Sequence, residues 1–287
     1  MAKIKMILSM LIFGSIGIFV SCIPLPSAVI ALTRSLLGTL LLALVMLAGK
    51  RPAHWAAIRK NLRFLLPAGA ALGFNWILLF EAYRYTTVAV ATLCYYTAPV
   101  FVVLLSPFVL KEKLSWQKLL CVAVALCGTA LISGASGGDM RGIALGLGAA
   151  LLYCAIVLLN KGVRDLPAME LTFCQLAVSA LVMLPYVLLT QSGAALVWGP
   201  KTLLLLALVG VLHTGLAYLL FFGAAAELPA QTTALLSYID PVTAILLSAW
   251  LLRQPMNAAQ IAGAALLLGA TLAGELVGRR KPETTAE

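Results

Sequence analysis

Long apolar runs alternate with short polar breaks along nearly the whole chain. A helix needs about 20 apolar residues to cross the hydrocarbon core of a bilayer. The breaks leave ten such stretches: 4–23, 27–49, 62–84, 87–110, 115–133, 141–160, 168–190, 201–223, 230–252 and 257–277. Each break has a physical cause. Pro24 and Pro26 end the first stretch, and Lys50, Arg51 and Pro52 end the second. Lys111-Glu112-Lys113 separates the fourth from the fifth, and the Gly- and Ser-rich segment Ser133 to Asp139 separates the fifth from the sixth. Short connections predict antiparallel neighbours. The start of the chain, two lysines and an apolar run up to Cys22, has the form of a signal peptide. With many spans behind it, it is read as a first membrane helix.

Composition narrows the class. The chain of 287 residues is 62% hydrophobic and 10% charged, against roughly 25% charged for an ordinary soluble domain. So few charges cannot cover a soluble surface. That excludes a soluble enzyme, a disordered chain and a nucleic-acid-binding domain, and predicts an all-α integral membrane protein. The net charge of +10 then reports topology. With the N-terminus in the cytoplasm, 15 of the 20 Lys and Arg fall on cytoplasmic segments. Four (Arg84, Arg141, Lys201, Arg253) fall on the opposite side, and Arg34 lies inside a helix. The positive-inside rule therefore places both termini in the cytoplasm, with a bacterial inner membrane as the expected location. Pro52 to Asn61, carrying Trp55 and several cations, is expected along the inner interface. The six cysteines sit in or beside apolar runs without a C-x-x-C pair, so they are read as packing residues. No metal cluster or phosphate loop is recognisable, and no cofactor is expected.

The chain also repeats itself at an offset of 142 residues. Tyr96-Thr97-Ala98-Pro99-Val100 falls on Tyr238-Ile239-Asp240-Pro241-Val242, and 11 of the 37 positions from Leu93 to Thr129 are identical without a gap. Upstream, Gly73, Leu78, Phe80 and Ala82 fall on Gly215, Leu220, Phe222 and Ala224. Each half holds five helices. Because five is odd, the second half enters the membrane from the other side, giving two inverted-topology five-helix repeats. The expected units are 1–134, 141–281 and a cytoplasmic tail 282–287.

Several of these residues carry a family resemblance. Phe13-Gly14-Ser15 in the first helix, Arg34 in the second, and the Pro99 segment through Leu104-Leu105-Ser106 to Lys111-Glu112-Lys113-Leu114 are similar to the EamA-type transporters of the drug/metabolite transporter superfamily. So is the repeated Pro241 segment. The resemblance implies a ten-helix carrier of amino acids, metabolites or drugs, often acting outward, with a central cavity lined mainly by helices 1, 3, 4, 6, 8 and 9. One departure stands out: the family's Glu after helix 4 is present as Glu112, but its repeat counterpart is Gln254. The paired cavity lysines of sugar-phosphate and nucleotide-sugar members are missing.

Ionisable groups inside a span cost about 2.5–3.5 kcal/mol on insertion scales, so they should face a cavity or a partner. Asp240, directly before Pro241 in helix 9, suits an ammonium group or a proton; a packing carboxyl bonded to a neighbouring helix is the plain alternative. His213 in helix 8 has a side chain that titrates near neutrality, which suits proton exchange, against a simple buried hydrogen-bonding role. Glu81 and Arg84, three apart at the outer end of helix 3, form either a local ion pair or an outer gate. Arg34 either pairs with Glu81 or holds a substrate carboxylate. Asn75, Trp76, Tyr96, Tyr153, Tyr218 and Tyr238 are deep enough to line a cavity, or to pack in the core; aromatic walls suit flat apolar groups or cations. Pro99 and Pro241 are expected to break their helices for gating. Gly69-x-x-x-Gly73 and Gly142-x-x-x-Gly146 mark close helix packing.

The function expected is therefore an alternating-access secondary transporter, an amino-acid or aromatic-metabolite exporter, working as a monomer or homodimer with a small solute and protons as partners. A zwitterion would match Asp240 and Arg34 together. A multidrug or organic-cation carrier is the alternative. An intramembrane lipid-modifying enzyme is a distant one: Gly134-Ala135-Ser136-Gly137-Gly138 matches G-x-S-x-G, but neither histidine is near it in sequence. The topology has a direct check. Single cysteines placed at Lys50 and at Arg280 should both react with a membrane-impermeant maleimide in inverted vesicles and both be protected in intact cells; labelling from opposite faces would break the inverted-repeat assignment.

Overall fold

The computed structural model describes residues 1–49, 53–111, 115–134, 140–191 and 196–279. Among these, ten helical spans are long and apolar enough to cross a membrane. They are α1 (Ala2–Ser21), α2 (Ser27–Ala48), α3 (Trp55–Tyr85), α4 (Val88–Tyr95, then Ala98–Val109), α5 (Trp116–Gly134), α6 (Met140–Asn160) and α7 (Ala168–Thr190). After these come α8 (Pro200–Ala225), α9 (Ala230–Ser237, then Ile239–Leu251) and α10 (Ala258–Arg279). The basic break at Lys50-Arg51-Pro52, the Glu112-Lys113 pair, residues 135–139 of the G-x-S-x-G pattern and the tail from Arg280 lie outside the described residues.

The main difference from the sequence expectation is at α3. It starts at Trp55, so the stretch expected along the interface forms the first turns of a 31-residue helix. No breaker occurs between Trp55 and Asn61, and Pro67 inside the helix does not end it.

Helix pairing displays the inverted repeat. α3 packs on α6 and α7, and five helices later α8 packs on α1 and α2. α4 lies on α6 as α9 lies on α1, while α2 meets α7 and α5 meets α10. Each pair maps onto another, or onto itself, when helix n is exchanged for helix n+5. Because lipid tails are as apolar as leucine, such contacts depend on close approach rather than on expulsion of water. Gly69 and Gly73 of α3 meet Val178, Ser179 and Met183 of α7, and Gly142 and Gly146 of α6 meet Thr86 and Cys94. A Cβ on Gly128 would come within 2.6 Å of the Gly263 carbonyl, at the α5–α10 crossing. Both G-x-x-x-G spacings thus serve intramolecular packing.

Three spans are interrupted. α4 is broken by a turn at Tyr96 and Thr97, and α9 by one at Tyr238, its repeat counterpart. Pro99 and Pro241 fall in the first turn of the following half-helix, where a missing N–H costs nothing, but they withhold a donor from the turn before. α8 carries a π-helical stretch, Leu208–Leu216.

The two faces of the bundle differ. On the face where α1 begins, the start of α3 is fastened to the α6–α7 connection. Asn61 Nδ2 donates to the Arg164 carbonyl (2.8 Å) and its Oδ1 accepts from the Arg164 N–H (3.1 Å). The buried Glu170 carboxylate accepts from the His54 backbone N–H (3.0 Å) and lies 2.7 Å from His54 Nδ1; Lys60 pairs with Asp165 at 3.6 Å. On the opposite face, Gln254 Oε1 accepts from the Ser248 hydroxyl (2.9 Å) and from the Val88 N–H at the start of α4 (3.2 Å). That face also holds a cavity of about 450 Å³ among the α1–α2 connection, Ile30, Phe80, Tyr83 and Arg84.

The fastening around Glu170 should be measurable. Glu170→Ala leaves His54 without its acceptor and is expected to lower stability by about 1–3 kcal/mol. In a protein whose only cysteine is Cys174, one turn further along α7, the same change should speed maleimide labelling. Unchanged melting and labelling would show that this contact does not hold the face closed.

Candidate functional site

The polar residues inside the membrane converge between the two repeats. Asp240 is the second residue of the lower half of α9, in the first turn of that half-helix. A helix N-terminus carries partial positive charge, which favours a carboxylate there. The Tyr96 side chain, from the matching break in α4, lies close to this carboxyl. Tyr95 and Tyr153 of α6 lie edge to face, 5.4 Å between ring centroids, and Tyr153 is 40% exposed. Tyr218 of α8 packs on Phe13 of α1 (5.3 Å) and stacks on Phe222 (5.8 Å). Asp240 and these tyrosine rings are all only partly buried.

Arg34 enters from α2, a helix the resemblance does not place at the cavity. Its guanidinium lies 3.9 Å from the Trp76 ring centroid, and Nε donates to Thr214 Oγ1 at 2.8 Å. Asp240, Tyr83, Tyr95 and Tyr218 are within its electrostatic reach. No ion pair joins Arg34 to Asp240 or to Glu81. The predicted Arg34–Glu81 pairing is therefore not formed. Glu81 instead accepts from the Ser27 hydroxyl (2.6 Å) and lies 3.6 Å from Arg84 Nε, while Arg84 Nη2 donates to the Leu25 carbonyl. Glu81 and Arg84 thus sit beside the 450 Å³ cavity at the outer end of α3, with Tyr83 and Phe80 between that cavity and Arg34.

The remaining sequence candidates have partners on other helices. Asn75 is fully buried and donates to the Ala149 carbonyl of α6 at 2.6 Å. Tyr238, partly buried like Asp240, lies beside Thr271 of α10. His213 is fully buried in the π-helical stretch. The Leu208 carbonyl, 3.1 Å from Nδ1, can only accept, so in the neutral ring Nδ1 carries the hydrogen and Nε2 faces the Ser15 hydroxyl at 3.0 Å. Phe19 packs on the ring at 4.7 Å.

Sequence reasoning missed Ser15, Thr214, Tyr83 and Glu275, the last within electrostatic reach of Tyr153 and Tyr238. A signal for Ser15 was present. In Phe13-Gly14-Ser15, Phe13 packs on Tyr218, Ser15 faces His213, and Gly14 lets α1 lie directly on the Asp240 carbonyl.

Comparison with known proteins fits this arrangement. Residues 1–134 and 140–273 each match the EamA-like transporter family. The chain belongs to the EamA-like transporter family. This EamA protein is 34% identical over 252 residues to the uncharacterized transporter YxxF of Bacillus subtilis (strain 168), covering 86% of this chain and 80% of that protein. It is 30% identical over 205 residues to Protein RarD of Salmonella typhi, 68% of each chain. A solved crystal structure shares the fold at a TM-score of 0.61 and 21% identity, over 97% of this chain and 98% of that one. The protein is an integral membrane transporter of small solutes.

In this EamA transporter the Gly14 contact can be tested. A Cβ there would clash with the Asp240 carbonyl and come within 2.6 Å of Thr243 Cβ. Gly14→Ala is expected to cost about 1–3 kcal/mol and to reduce transport. Gly223→Ala, where a Cβ meets nothing within 4 Å, should leave transport unchanged and raise stability slightly. Equal behaviour of the two in melting and transport assays would dismiss the α1–α9 contact as a determinant.

Proposed function

We propose that this EamA transporter is an alternating-access exporter of amino-acid-like or aromatic metabolites, with Asp240 receiving the solute's ammonium group and Tyr95, Tyr96, Tyr153 and Tyr218 surrounding its apolar part. The observation that carries this reading is a carboxyl on a half-helix at the junction of the repeats, ringed by partly exposed tyrosines. A carboxylate and aromatic faces are the two groups that attract an organic ammonium ion. The breaks in α4 and α9, at matching positions of the two repeats, give each helix a point at which its halves could reorient, as alternating access between inverted repeats requires. The conformation agrees with one step of such a cycle: fastened at Asn61 and Glu170 on one face, hollow at Tyr83 and Arg84 on the other.

In this reading α1 begins in the cytoplasm, the membrane is a bacterial inner membrane, and the hollow face is external. Protons are the proposed coupling ion, with Asp240 as their carrier when the solute is absent. An organic-cation carrier would use the same carboxyl and rings; the guanidinium of Arg34 in the same pocket stands against it.

Asp240→Asn keeps the size of the side chain and removes its charge. Transport into vesicles is expected to fall about tenfold or more at normal membrane abundance. A pH gradient should drive accumulation by the native protein and lose that effect in the variant. Unchanged transport by the variant at several pH values would remove Asp240 from the mechanism, and rates indifferent to collapse of the gradient would remove the proton.

A further inference from the structure

Arg34 is 5% exposed, and a guanidinium so placed would be expected to have partners for its five N–H donors. It uses one. Nε donates to Thr214 Oγ1, while among the described residues no acceptor engages either terminal nitrogen. Neither of those nitrogens is a sealed, partnerless atom, so the small accessible surface that Arg34 keeps includes its forked end. Asp240 lies within electrostatic reach of the guanidinium without forming an ion pair with it.

The surroundings fix the plane of the group. Trp76 lies under it at 3.9 Å, and Phe80 stands 5.9 Å away. Thr214 is itself pinned, donating to the Val209 carbonyl at 3.1 Å inside the π-helical stretch. Gly38 packs against Thr214, one turn from Arg34 on α2. With Nε held and the face covered, the terminal edge offers two parallel donors in a set direction.

We infer that this edge of Arg34 is a subsite for a carboxylate carried by the transported solute, with Trp76 as its platform and Thr214 as its anchor. Two parallel donors match the two oxygens of a carboxylate, which a point charge would not do. A doubly charged anion fits poorly, because Asp240 repels the second charge. At the 142-residue offset the counterpart of Arg34 is Leu176, fully buried, so the subsite exists once per chain. The inference rests on the reading of this pocket as the solute site and adds to it the second charge that the solute must bear.

Three probes sharing a phenyl ring separate the two claims: L-phenylalanine with both charges, 3-phenylpropionate with the carboxylate alone, and 2-phenylethylamine with the ammonium alone. Binding to the purified full-length protein is measured by titration and by thermal shift. Phenylalanine is expected to bind tightest. Arg34→Gln should weaken phenylalanine and phenylpropionate about 10- to 100-fold and leave phenylethylamine within about twofold. Arg34→Lys should restore only part of the loss. If phenylpropionate binds the Gln variant as it binds the native protein, or if phenylethylamine matches phenylalanine on the native protein, the carboxylate subsite is overturned while the Asp240 reading stands. If none of the three binds the native protein, both fall. Should the Gln variant not fold, the ranking of the three probes on the native protein decides alone.

Discussion

Two side chains of opposite formal charge, Arg34 and Asp240, are held inside this membrane protein without an ion pair between them. Each costs free energy to place in hydrocarbon, and direct contact would relieve much of that cost. The structure instead occupies each charge separately: Arg34 with an indole face and a threonine hydroxyl, Asp240 with a helix N-terminus and a tyrosine. Keeping them apart requires rigid walls, and the glycine crossings supply those. Gly14 seats α1 on the backbone beside Asp240, and Gly38, Gly210 and Gly215 bring α2 and the π-helical stretch together around Arg34.

The repeats are alike in path and unlike in what they fasten. At the 142-residue offset, His54, Asn61 and Asp240 correspond to Leu196, Leu203 and Ala98. The polar clamp that ties α3 to the α6–α7 connection therefore has no equivalent where α8 meets the α1–α2 connection, and the cavity lies at that connection. The pseudo-symmetry makes two conformations geometrically equivalent; the side chains make them energetically different.

The spans, their number and the inverted repeat were legible because hydrophobic length and proline or charge punctuation act locally. The start of α3 was misplaced because Trp55 to Asn61 is too polar to read as a span, and its helix is completed by partners more than 100 residues away, at Arg164 and Glu170. Asp240, Arg34 and the tyrosines could be singled out as costly or deep residues, and the charges of Asp240 and Arg34 suggested a shared site, but the contacts each makes could not be read. Asn75, Tyr238 and His213 look identical to pocket residues by depth alone; only the rotation of each helix shows that they face Ala149, Thr271 and Ser15. Thr214 carries no sequence signal, since a threonine in an apolar helix is unremarkable until an arginine from another repeat reaches it.

Gln254 stands where the first repeat has Glu112, and it fastens the start of α4 through its amide carbonyl. An amide neither gains nor loses a proton across the range a cell meets. Acidification of that face therefore leaves this one contact between α4 and α9 as it was.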